Sequence, residues 1–297
     1  MTRARTRART LRAAAAGLAA ATLVAGGVVC APGAGAQTNP FQRGPAPTAT
    51  SVQAQRGPFA VATTSVPAGT AAGFNLGTIY APTDTSQGTF GAIAVIPGFI
   101  EAQAAISWVG TTLASQGFVV FTLEPFSGFD LPNSRAAQMQ AALTWITSTA
   151  SPVRSRIDAN RLGVMGHSMG GGGSLEAVSN NPQLKAAVPL QPWDLFFSFA
   201  QVRVPTLMVG ATNDIIAPPG SNTNVFYGQI PATTEKANVE LAGQDHFVGT
   251  TYNPTQTRYA VAWMKRFIDN DTRYSQFLCP SPGPGGALTA IAITCPV

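Results

Sequence analysis

Arg161-Leu-Gly-Val-Met-Gly-His-Ser-Met-Gly-Gly-Gly-Gly-Ser-Leu175 decides the fold. Its first five residues make a short apolar strand, and the glycine-rich remainder reads as the start of a helix. Between them Gly166-His-Ser-Met-Gly170 has the Gly-x-Ser-x-Gly pattern of a nucleophile elbow, a strained strand-to-helix turn that exposes a serine above a sheet. The outer positions need glycine because strand, helix and nucleophile approach closely there. In a chain with 30 glycines the same five letters could also be an ordinary turn.

The histidine count separates the two readings. A serine hydroxyl is scarcely ionised near neutral pH and needs a base, and the chain has only two histidines. His167 lies inside the elbow, where its side chain projects on another side of the turn from Ser168. That leaves His246, in the loop Gly243-Gln-Asp-His-Phe247 after the strand-like Asn238-Val-Glu-Leu241. A third group must orient the imidazole and stabilise the imidazolium. The carboxylates between serine and histidine are Glu176, Asp194, Asp214, Glu235, Glu240 and Asp245. Asp245 adjoins the histidine and points elsewhere, Glu176 lies two turns into the elbow helix, and Glu240 lies within a strand. Asp214 follows the apolar strand Val204–Gly210 at its carboxyl end, where open α/β sheets place functional loops. It is the choice for the third member, with Asp194 as the alternative.

The formal charge of +5 misleads. Arg3, Arg5, Arg7, Arg9 and Arg12 precede an apolar run from Ala13 to Val29, and Ala34-Gly35-Ala36 offers a small-x-small cleavage site, the organisation of a secretory signal peptide. The expected division is a leader over 1–36 and one catalytic domain over 37–297. The 18 Lys+Arg less these five leave 13, equal to the 13 Asp+Glu, so the mature chain is neutral and nucleic acid is not an expected partner. The apolar run is short and rich in Ala and Gly, which argues against a stable membrane anchor. No Arg-Arg pair in the leader marks a twin-arginine route, and Val29 before Cys30 argues against a lipoprotein. The remaining cysteines, Cys279 and Cys295, are expected to pair in an oxidising compartment and to close a Pro/Gly-rich tail with little order of its own. An extracellular monomer with no cofactor is the expectation.

Between the ends, strand-length apolar runs alternate with helix-length segments. Eight strands are expected, over 59–66, 74–80, 91–97, 118–124, 162–165, 186–190, 205–210 and 238–241. Helices are expected over 103–116, 134–148, 168–180 and 255–269, and residues 37–55 read as irregular. Hairpin neighbours followed by alternating β/α units imply a mostly parallel, doubly wound sheet. Short connections leave no room for a large lid.

Five blocks, Asn39–Pro45, Gly163–Leu175, Gln191-Pro-Trp-Asp194, Asn213-Asp-Ile-Ile-Ala-Pro218 and Ala262–Tyr274, agree in order and spacing with one family. Across its mature length the chain resembles the bacterial cutinases and PET hydrolases. The resemblance implies an α/β-hydrolase fold and a secreted serine esterase acting on polyesters, with Ser168, Asp214 and His246 as the triad. It places the oxyanion hole on the backbone N–H groups of Phe99 and Met169. It puts Phe99, Met169, Trp193 and Ile216 in an apolar ester-binding groove, with Phe247 part of its wall. His167 stands where one PET hydrolase has tryptophan, and Ala211 and Val248 where that enzyme has an extra cysteine pair. The calcium-binding acidic positions of some thermophilic cutinases correspond to Thr212, Ala242 and about Ala290, so no metal is expected. A lipase or soluble carboxylesterase on the same fold is the nearest alternative. A non-catalytic hydrolase-fold protein that adheres to polymer or lipid surfaces is a third, opposed by the intact Ser, Asp and His.

Overall fold

In the computed structural model, which describes residues 39–195 and 198–297, strands and helices alternate along most of the chain. The order is Ala49–Val52 (α1), Val61–Val66 (β1), Leu76–Pro82 (β2), Phe90–Ile96 (β3), Ser107–Ser115 (α2), Phe118–Glu124 (β4) and Pro132–Ile146 (α3). Then come Ile157–His167 (β5), Met169–Asn180 (α4), Ala186–Leu190 (β6), Thr206–Ala211 (β7) and Thr223–Gln229 (α5). Lys236–Leu241 (β8), Pro254–Ile268 (α6) and Leu288–Ile293 (β9) complete it. Asn39–Val297 forms one compact unit. The expected leader and its cleavage site lie outside the described residues.

The sheet order is β1-β2-β4-β3-β5-β6-β7-β8-β9. Strands β3 to β8 run parallel, while β1, β2 and β9 join by antiparallel pairing at the two edges. This is the mostly parallel, α/β-hydrolase arrangement that the resemblance implies. Every residue of β3, Phe-Gly-Ala-Ile-Ala-Val-Ile, is buried, as a strand covered on both faces requires. Ile93 and Val95 enter one core with Val109 and Leu113 of α2 and Trp263 of α6. Ala92, Ala94 and Ile96 enter the other with Met139 of α3 and Leu175 of α4. Helices therefore cover both faces, and the loops at the carboxyl ends of the parallel strands remain for a site.

The described residues contain nine strands, one more than expected. The extra one corrects the reading of the C-terminal tail. After the Gly/Pro run ends at Gly286, Leu288-Thr-Ala-Ile-Ala-Ile293 pairs antiparallel with β8, and Ile291 and Ile293 pack half-buried on the core. Two branched side chains and an open edge of β8 outweigh the disordering composition of the preceding loop. Cys279 and Cys295 are joined across this tail. The stretch read as irregular also holds α1, whose single turn is closed by a reciprocal cap between Thr48 and Ser51.

The Ala262–Tyr274 block earns its composition structurally. Asp269, fully buried, accepts from Lys265 Nζ at 2.9 Å and from Arg161 Nη1 at 2.6 Å, tying the end of α6 to β5. Removing Asp269 would leave the buried Lys265 ammonium uncompensated, a loss of about 3–5 kcal/mol. Among the described residues no helix is long and apolar enough to cross a membrane.

Candidate active site

The elbow has the expected geometry. Ser168 adopts φ 55° and ψ −118° between β5 and α4. A side chain on Gly166 would collide with the carbonyl of Gly170, and one on Gly170 with the carbonyls of Ile96 and Pro97. Ser168 N–H donates to the Leu190 carbonyl at 2.9 Å, and its own carbonyl accepts from Trp193 N–H at 3.0 Å, so the strained residue is held by the loop after β6. Strain at such a turn persists only where neighbours over-determine it.

His246 comes from a short 3-10 turn, His246–Thr250, that follows β8. Its Nε2 lies 2.9 Å from Ser168 Oγ and its Nδ1 2.7 Å from Asp214 Oδ2. Asp214, in the loop after β7, also accepts from Ile216 N–H at 2.9 Å and Ala217 N–H at 2.7 Å through Oδ1. Burial alone would raise this carboxyl's pKa. The His246 contact and the two backbone donors outweigh burial and hold it below the usual carboxylate range. Ser168, Asp214 and His246 are all buried, at 5%, 3% and 4% exposure. Low exposure strengthens each interaction through the low local dielectric.

The carboxylates set aside stand elsewhere. Asp245 Oδ1 accepts from Phe247 N–H at 3.0 Å, and Glu240 accepts from Thr289 Oγ1 at 2.9 Å. Asp194, the alternative third member, faces Glu176 rather than His246. Burial, with Asp194 adding like charge, pushes the Glu176 carboxyl up to about 8. Both acids line a cavity of about 190 Å³ beside Trp193, together with Leu131, Pro132 and Leu195.

The remaining sequence-derived residues gather at the same end. Gly98, the residue before Phe99, packs so closely on Ser168 that an added Cβ would stand 2.7 Å from Ser168 Cβ. On either side of Phe99, Gly98 N–H donates to Glu101 Oε2 at 2.6 Å and Ile100 N–H to the Gly128 carbonyl at 2.9 Å. Met169 follows the serine as the first residue of α4. Trp193 is half-buried, and Phe99, Ile216 and Phe247 are 47%, 47% and 54% exposed. Phe247 meets the His246 ring edge-on at 5.6 Å between centroids. Large apolar side chains thus stand exposed around three buried, hydrogen-bonded polar residues.

Sequence reasoning passed over two residues here. His167 stays away from Ser168, as expected, but its ring contacts Glu101 and the His246 carbonyl. Only the scarcity of histidine pointed toward it, and nothing local pointed to Glu101, because the loops that meet there are distant in sequence. Among the described residues no group of three or more His, Cys, Asp or Glu is placed to hold a metal.

The chain is 51% identical over 285 residues to a bis(hydroxyethyl) terephthalate hydrolase of Streptomyces coelicolor, covering 96% of this chain and 92% of that one. It is 48% identical over 261 residues to cutinase 1 of Thermobifida cellulosilytica, covering 87% and 99% respectively. A cutinase of Thermobifida fusca is also 48% identical over 261 residues, covering 87% and 86%. With residues 35–296, which contain the Ser168 turn, the His246 loop and both sheet edges, matching its pattern, the chain belongs to the PET hydrolase-like family.

Proposed function

We propose that the protein is a secreted carboxylic ester hydrolase that cleaves the ester bonds of polyesters, cutin or terephthalate polyesters among them, through an acyl-enzyme on Ser168. The hydrogen-bonded chain from Asp214 through His246 to Ser168, at 2.7 and 2.9 Å, carries the reading. Ser168 Oγ attacks the ester carbonyl while His246 Nε2 takes its proton. Asp214 holds the Nδ1–H tautomer and stabilises the imidazolium. The developing alkoxide lies against the N–H groups of Phe99 and Met169, and loss of one such donor costs about 3 kcal/mol of transition-state stabilisation. Collapse expels the alcohol, which takes the proton from His246. Water, deprotonated by the same imidazole, then releases the acid and restores Ser168.

The substrate class rests on the groove and on the relatives. Phe99, Met169, Trp193, Ile216 and Phe247 offer apolar and aromatic surface to an alkyl or aromatic diester unit, and a polymer needs an open site. The names of the relatives, cutinase and bis(hydroxyethyl) terephthalate hydrolase, fit that surface. The arginine-rich leader supplies export, and the mature enzyme is read as a single catalytic domain from residue 37, a monomer needing no cofactor. Incubation with bis(hydroxyethyl) terephthalate, terephthalate polyester film, cutin and a long-chain triglyceride tests the reading. Release of acid from diester and film, with a fluorophosphonate label on Ser168, is expected. Preference for the triglyceride with nothing released from film or cutin would assign a lipase instead. An unlabelled Ser168 with no turnover would assign a non-catalytic binding protein.

A further inference from the structure

Behind the triad stands a second carboxylate–imidazole pair. Glu101 Oε2 accepts from His167 Nδ1 at 2.8 Å and, on the same atom, from Gly98 N–H at 2.6 Å. His167 Nε2 lies 2.8 Å from the carbonyl oxygen of His246. Both ring nitrogens therefore face acceptors. His246 differs, donating to Asp214 and accepting from the Ser168 hydroxyl.

The seat of the second ring is closely built. His167 is fully buried, and its ring centroid is 4.8 Å from that of His246. A Cβ on Gly249 would collide with His167 Cδ2, so the base loop can wrap the ring only with glycine there. The Gly249 carbonyl is fixed from outside by Trp108 Nε1 at 3.0 Å. At the other end, Glu101 N–H donates to the Gly98 carbonyl at 3.3 Å while the Glu101 side chain takes Gly98 N–H, closing the turn around Phe99 from both sides. Burial would raise the Glu101 carboxyl, but its contacts with His167 and Gly98 hold it below the usual carboxylate range.

We infer that Glu101 and His167 are positioning residues for ester hydrolysis, a buried strut that locks the Phe99 oxyanion turn and the His246 backbone to the elbow in one fixed geometry. The inference rests on the catalytic reading of Ser168, His246 and Phe99. It assigns to these two side chains the alignment of the oxyanion donor with the base. A displacement of about 1 Å in either can cost about 100-fold in rate.

The test uses the mature enzyme with p-nitrophenyl butyrate, comparing wild type, Glu101→Ala, Glu101→Gln, His167→Ala and the double alanine variant, with Ser168→Ala as control. Glu101→Ala is expected to lower kcat about 10- to 100-fold with KM changed by less than about twofold, because the loss falls on alignment rather than on binding. Glu101→Gln is expected to recover much of this, since its amide oxygen at the same place can accept from both Gly98 N–H and His167 Nδ1–H. The double variant is expected to be no slower than the worse single one. If His167→Ala fails to fold, the two Glu101 variants decide alone. Both retaining kcat within about twofold of wild type below their melting temperatures, whatever the change in Tm, would overturn the inference and leave a pair that acts on stability. Activity surviving in Ser168→Ala would overturn the catalytic reading itself.

Discussion

His246 Nε2 stands 2.9 Å from Ser168 Oγ although 78 residues separate them. The contact exists because β5, β6, β7 and β8 are adjacent and parallel, so that the elbow after β5, the Asp214 loop after β7 and the base loop after β8 open at one end of the sheet. Replacing Ser168 or His246 with alanine is therefore expected to lower kcat at least about a thousandfold in a protein that still folds. Asp214→Asn is expected to lose about 10²- to 10⁴-fold, because an amide at that place favours the wrong imidazole tautomer. Steady-state kinetics with a circular-dichroism check decides the point, and a fully active His246→Ala would remove His246 as the base.

Asp214 also makes stability depend on acid. Its pKa is depressed in the folded state, chiefly by the His246 contact acting against burial. The stabilisation is thus complete above the ordinary carboxylate pKa and disappears as pH falls through the lowered folded value. Asp214→Asn lacks this ionisation. The Tm gap between wild type and Asp214→Asn should shrink from pH 7 toward pH 3, and a gap that widened on acidification would contradict the sign.

Glu176 works in the opposite sense. Its carboxyl, buried beside Asp194, titrates near 8 in the folded protein, so folding retains a proton that the unfolded chain gives up near its ordinary value of 4.5. Stability from this group is complete below about 4.5 and declines as pH rises toward 8. Glu176→Gln keeps the neutral shape and removes the ionisation. Thermal unfolding at pH 5 and pH 9 is expected to show the variant gaining on wild type only at the higher pH. Equal gains at both would place the effect in packing rather than in charge.

The strand-to-helix turn at Ser168 and the placing of Asp214 and His246 near it were legible because each follows an apolar run by a few residues, so the topology of alternating units put them at one sheet end. The doubly wound sheet was legible for the same reason, strand-length apolar runs alternating with helix-length segments. What escaped were contacts made across the fold. Glu101 reaches His167 over 66 residues, and no local pattern records that meeting. Strand β9 escaped because its few isoleucines follow a Gly/Pro loop whose composition dominates the window, and only the open edge of β8 makes pairing worthwhile. His167 could be excluded as the base by its place in the turn, yet its own partners could not be read.

The disulfide is expected to act on stability alone. Cys279 and Cys295 are 16 residues apart, and Cys295 follows Thr294, whose N–H donates to the Lys236 carbonyl at the amino end of β8. His246 lies beyond the carboxyl end of that strand, about 20 Å away along its length. Replacing both cysteines with serine should cost about 3 kcal/mol by the loop-entropy estimate, seen as a lower Tm, with kcat at 25 °C unchanged. A loss of rate as large as the loss of stability, in folded protein, would tie the tail to the chemistry.

Trp193 separates a polymer from a small ester. Its backbone N–H holds the Ser168 carbonyl at 3.0 Å, while its half-buried side chain lines a cavity with Leu131, Pro132 and Leu195. Phe99 and Ile216 are each 47% exposed. A p-nitrophenyl butyrate molecule is short enough to react using only the triad and the oxyanion donors. A diester unit of a film extends past the scissile bond and can lie against the indole, gaining apolar contact that persists into the transition state. Trp193→Ala keeps the backbone hydrogen bond and removes only that surface. It is expected to slow acid release from terephthalate polyester film about tenfold, on the scale of one lost aromatic contact, and hydrolysis of the butyrate ester by less than about threefold. The wild type should prefer the butyrate to the palmitate ester and show no jump in rate when substrate passes from dissolved to emulsified. Equal losses on film and butyrate would mean that Trp193 serves the elbow rather than the polymer, and the aromatic subsite would have to be sought along Phe99 and Phe129, whose rings meet edge-on at 5.4 Å.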